Sequence, residues 1–66
     1  MTNNKHALKP YVAMVEGEDA GVPFRVFFKY LKSAEQVAID THGVLTDLRT
    51  GERKRWIEAS QSFVDA

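Results

Sequence analysis

Between Pro23 and Lys32 the chain runs Phe24-Arg25-Val26-Phe27-Phe28-Lys29-Tyr30-Leu31-Lys32, and no other stretch limits the fold so strongly. Its aromatic and β-branched side chains favour a strand over a helix. Successive side chains of a strand point to opposite faces. Phe24, Val26, Phe28 and Tyr30 then share one face, and Arg25, Phe27, Lys29 and Leu31 share the other. The first face is wholly apolar and must meet a core. The second is mixed, but Phe27 and Leu31 leave an apolar stripe on it that also needs cover. That is a heavy demand on 66 residues, because a chain of this size buries only about 60 % of the surface its unfolded form exposes.

Small domains usually close such a gap with disulfides, a structural metal or a partner. Cysteine is absent, which removes disulfides and thiolate zinc sites together. His6 and His42 could not fill a zinc shell alone. Self-association is the route left open, beside an unusually well-formed core. Arg25, Lys29 and Lys32 give the Phe27–Leu31 stripe the charged rim of an interface. The expected interface is therefore Phe27, Leu31, Arg25 and Lys29, and the expected partner is a protein or a second copy of the chain in a homodimer.

Punctuation parses the rest. Residues 1–9 are polar and unpatterned and read as a mobile arm, leaving 10–66 as a single small domain. Tyr11 to Val15 reads as a strand closed by Gly17, and Glu16 to Gly21 as an acidic turn. Ser33 to Gly43 reads as a short helix, with Ser33 and Gln36 as a capping box and Gly43 at its C-terminus. A strand over Glu35 to Asp40 is the competing reading. Val44–Leu48 and Arg53–Ile57 flank Thr50-Gly51 as a hairpin. A two-residue loop there sets Asp47 opposite Lys54, Arg49 opposite Glu52, Leu45 opposite Trp56 and Val44 opposite Ile57. Residues 58–64 suit either a strand or a helix. The expected fold is α+β, a small antiparallel sheet of about four strands with one short helix. A small Sm-like or SH3-like β-barrel is the alternative, at the level of architecture only.

Nine basic and nine acidic residues balance, so no global field draws the chain to nucleic acid or an anionic membrane. No apolar run approaches the roughly 20 residues that span a bilayer, and Met1 to His6 lack the apolar core of a secretory signal. A cytoplasmic protein is expected. Arg49, Arg53, Lys54, Arg55 and Trp56 are the one local concentration of positive charge. Basic side chains beside an aromatic can track phosphates and stack a base. RNA or single-stranded DNA binding through Arg49, Arg53, Arg55 and Trp56 is thus the alternative function. Against it, Asp47 and Glu52 lie in the same hairpin, alternation splits Lys54 from Arg53 and Arg55, and Trp56 suits a core.

Chemistry is sparse. Asp40 and His42 sit two apart, where helical side chains do not face each other. Glu16, Glu18 and Asp19 lack the ligand number and spacing of a calcium loop. No phosphate-cradling glycine loop or nucleophile elbow is present. The sequence therefore points to a non-catalytic protein-binding or regulatory module without cofactor or metal.

Overall fold

A computed structural model describes residues 11–66; the arm expected over residues 1–9 lies outside them. The elements run β1 (Ala13–Asp19), β2 (Val22–Phe28), α1 (Leu31–Thr41), β3 (Val44–Asp47), β4 (Arg53–Ile57) and β5 (Ser62–Asp65). All strand pairs are antiparallel, and the sheet order is β2-β1-β3-β4-β5. The α+β class is as expected, with five strands and one helix. The barrel alternative is overturned. Its edges would have to be β2 and β5, which lie at opposite ends of an open sheet.

Local chemistry explains the elements. β1 and β2 close on Ala20-Gly21, both at positive φ (55° and 82°), the two-residue turn whose twist matches that of the strands. Pro23 has no N–H to give a ladder, and it sits in β2 at the sheet edge, where that loss is tolerated. Gly17 lies opposite Phe24, and a Cβ there would come within 3.0 Å of the ring. The acidic segment expected as a turn is therefore mostly strand, because only Ala20-Gly21 is needed to reverse the chain.

α1 begins at Leu31, two residues ahead of the expected Ser33 cap. Tyr30 occupies the N-cap position with no side-chain hydrogen bond. The strand reading of Tyr30 and Leu31 is therefore corrected. β2 stops at Phe28, and Leu31 turns inward from the first turn of the helix. At the other end His42, not Gly43, takes the left-handed conformation (φ 59°) that ends the helix. Gly43 is buried against β1, where a Cβ would meet the Glu16 carbonyl oxygen at 2.6 Å.

The helix covers one face of the sheet. Ala34 and Ala38 bring it down on Ala13 and Val15 of β1 and Leu45 of β3. Phe24, Phe28, Leu31, Val37 and Phe63 close the margins. The core is thin: Val15 is its largest fully buried side chain, and three of its five buried residues are alanine.

The β3–β4 hairpin has a different register from the one expected. Val44 pairs with Arg55, Leu45 with Lys54 and Thr46 with Arg53, and the Asp47 N–H donates to the Glu52 carbonyl (2.8 Å) across a loop from Leu48 to Gly51. Asp47 organises that loop. Its carboxylate accepts from the Arg49 backbone N–H (2.9 Å) and side chain (both at 3.1 Å), and its carbonyl accepts from Gly51 N–H (2.7 Å). Arg49 thus turns back to Asp47 instead of across to Glu52, and Lys54 lies 3.7 Å from Asp65 of β5. The shift is two residues, so every side chain keeps its face. Residues 58–61 are a turn, and the C-terminal segment is strand.

Candidate interaction surface

Register assigns the face opposite the helix residue by residue. Ala13, Val15 and Leu45 point to the helix, so their alternate neighbours point away. One row across the open face reads Arg25, Glu16, Val44, Arg55 and Val64. The next reads Phe27, Met14, Thr46 and Arg53. On the other side of the first row lie Pro23 and Glu18 of β2 and β1, with Ile57 and Ser62 of β4 and β5. No element of the described chain lies over this face, since α1 is the only helix among the described residues and packs on the other side.

The surface is apolar between its charges. Phe27 is 46 % exposed, and its ring centroid lies 5.7 Å from that of Tyr11, itself 47 % exposed. Val64 is exposed at the far edge. Val44, Met14 and Thr46 are half-buried at the centre. The Thr46 hydroxyl is buried there without a hydrogen-bond partner. Glu16 and Arg25 pair at 3.6 Å. Arg53 and Arg55 are exposed and make no salt bridge among the described residues.

Of the residues expected at a protein interface, Arg25 and Phe27 stand together on this face. Leu31 belongs to the helix and the core, and Lys29 lies in the bend between β2 and α1. Of those expected to meet nucleic acid, Arg53 and Arg55 share the open face. Trp56 points to the helix side, where its ring lies edge-on to Phe63 at 5.1 Å and its Nε1–H donates to Glu58 at 3.0 Å. Arg49 is held by Asp47, which fixes its guanidinium in a two-point bond and holds the Asp47 carboxyl below its ordinary value of 3.8. The four are not one site. Sequence reasoning passed over Glu16, Val44 and Val64. For Glu16 the signal was the parity of β1, where Ala13, Val15 and Gly17 alternate with Met14, Glu16 and Glu18.

The helix side carries a small cleft of about 80 Å³ between α1 and β3–β5. Leu31, Leu45 and Phe63 line it together with Glu35, Glu52 and Lys54. It is small beside the roughly 300 Å³ at which ligand pockets begin. No group of three metal-ligating side chains occurs among the described residues. No helix among them is long and apolar enough to cross a membrane. Compared with known proteins, the chain matches no family model, no curated protein and no solved structure.

Proposed function

We propose that this chain is a non-catalytic protein-binding module that self-associates through the open face of its sheet. One observation carries the reading: a five-stranded sheet is covered by a helix on one side only, while the other side presents Phe27, Met14, Val44 and Val64. An antiparallel sheet can leave one face to solvent, but it then alternates cleanly between apolar and polar. Here the outer face keeps an apolar centre. The thin core adds weight, since covering a second apolar face is the largest gain available to a cysteine-free chain of this size. A regulatory role in the cytoplasm fits a small module of this kind.

Nucleic acid is the rival occupant, because Arg53, Arg55 and the Tyr11–Phe27 pair share the face. Its charge argues against phosphate tracking: Glu16 of β1 lies between Arg25 and Arg55 in one row, and Glu18 adds a second carboxylate one row on. Light scattering across a concentration series, with and without a mixed-sequence single-stranded oligonucleotide, separates the two. The proposal expects dimer in the range of tens of micromolar, about what a modest interface gives, and no salt-dependent oligonucleotide binding. A monomer throughout, or an oligonucleotide complex that weakens steeply with salt, contradicts it.

A further inference from the structure

One row of the open face is complementary to itself in one orientation. We infer that two copies pack sheet on sheet, related by a twofold axis that runs along β3 between them. This arrangement rests on the self-association proposed above, and it names the contacts.

β3 is the middle strand of the order β2-β1-β3-β4-β5. A twofold axis parallel to β3 reverses that order in the second copy and leaves each row at its own level. Over β1 then lies β4 of the other copy, and β3 lies over β3. In the row Arg25–Glu16–Val44–Arg55–Val64, Glu16 faces Arg55 of the second copy, and Arg55 faces its Glu16. Val44 meets Val44 on the axis, and Arg25 meets Val64. In the adjoining row Met14 faces Arg53, so its thioether lies along an aliphatic stem.

The other in-plane axis, running across the strands through this row, sets Glu16 on Glu16 and Arg55 on Arg55. Like charges there oppose association. Charge pattern in this row thus favours the axis along β3 over the axis across the strands.

Scale is consistent. Packed sheets lie about 10 Å apart with strands within about 30° of each other. That rotation moves a residue one strand from the axis by only about 2.4 Å, given a strand spacing of about 4.8 Å. Long Arg and Glu side chains absorb it. The face is roughly 20 Å on a side, so a dimer buries on the order of 1,000 Å², at the small end of specific interfaces. The exposed Arg55, without a salt bridge among the described residues, gains a carboxylate in the dimer, and Glu16, already beside Arg25, gains a second cation.

The test uses charge reversal in the full chain, read by sedimentation velocity over a concentration series, with thermal melts confirming each fold. Glu16→Arg and Arg55→Glu each set like charges against each other at two symmetry-related places. Each is expected to weaken the dimer by about tenfold or more. The double variant Glu16→Arg/Arg55→Glu restores opposite charges across the axis and is expected to recover most of the loss. Asp40→Lys, on the exposed side of α1, makes the same change in net charge as Glu16→Arg and is expected to leave the dimer unchanged. Should a reversal unfold the chain, Val44→Cys supplies a single thiol in a protein with none. A short bis-maleimide is then expected to link the copies through it, and not through Asp40→Cys. A wild-type chain that stays monomeric overturns both this arrangement and the self-association beneath it. A wild-type dimer indifferent to the reversals, not recovered in the double variant, or unlinked through Val44→Cys overturns the arrangement alone.

Discussion

Replacing Gly43 by alanine tests how closely the segment after α1 must approach β1. A Cβ at this position stands 2.6 Å from the Glu16 carbonyl oxygen, 3.0 Å from Val15 Cγ1 and 3.2 Å from Thr41 Oγ1. The shortest of these falls about 0.8 Å inside ordinary contact, deep in the repulsive wall. Neither main obstacle can step aside: one is backbone in a strand paired on both sides, and the other belongs to the fully buried Val15. Overpacking of this kind costs typically 1–3 kcal/mol, and the upper end, about 3 kcal/mol, applies here. Alanine also narrows the unfolded ensemble, which returns about 0.5 kcal/mol. The net loss of about 2.5 kcal/mol lowers the melting temperature by roughly 10–20 °C in a domain of this size. Gly51→Ala is the control, because its φ is +83° and nothing lies within 4 Å of the added atom. It bears only the left-handed conformational cost, about 1 kcal/mol. Circular-dichroism melts of the two variants beside wild type decide the matter. If Gly43→Ala melts within a few degrees of wild type, or above Gly51→Ala, the close approach of the α1–β3 junction to β1 is wrong.

Further expectations follow from single residues. Ala20→Asn stabilises the chain by about 0.5–1 kcal/mol, because asparagine tolerates the positive φ that Ala20 holds in the β1–β2 turn; a lower midpoint in urea denaturation contradicts that turn. Thr46→Val is neutral or stabilising by up to about 1 kcal/mol, since it removes a buried hydroxyl without a partner; a clear loss in the same assay shows that the hydroxyl is bonded after all. Asp47 titrates below its ordinary 3.8, chiefly through its side-chain bond to Arg49. Its contribution to the β3–β4 loop is therefore present above pH 3.8 and is lost as pH falls through the depressed folded value. Carboxyl NMR titration is expected to show that depression and its reversal towards 3.8 in Arg49→Ala; a midpoint indifferent to Arg49 contradicts the pairing.

Much of the architecture was legible because period-2 alternation survives errors of register. The β3–β4 pairing differs from expectation by two residues, yet Leu45, Lys54 and Trp56 remain on one face and Arg53 and Arg55 on the other. The slip came from expecting Thr50-Gly51 alone to turn the chain. Asp47 instead captures Arg49 locally, and that side-chain choice lengthens the loop. Leu31 was misplaced because alternation continues in the sequence beyond Phe28, while the backbone leaves the strand there to begin α1. Gly43 carries a contact from a distant strand, and its neighbours in sequence hold no trace of it. The open face itself was half legible. Arg25 and Phe27 follow from the pattern of one strand, whereas their company with Val44 and Arg55 depends on α1 carrying β3 to the far edge of β1.

Amide chemical shifts of the isotope-labelled chain, followed by dilution from about 1 mM to about 10 µM, where modest interfaces dissociate, test the use of the open face most directly. Concentration-dependent shifts are expected at Met14, Glu16, Val44, Arg55 and Val64, with Ala34, Ala38 and the exposed turns of α1 unmoved. Spectra that do not change with dilution, or changes gathered on the helix, contradict it.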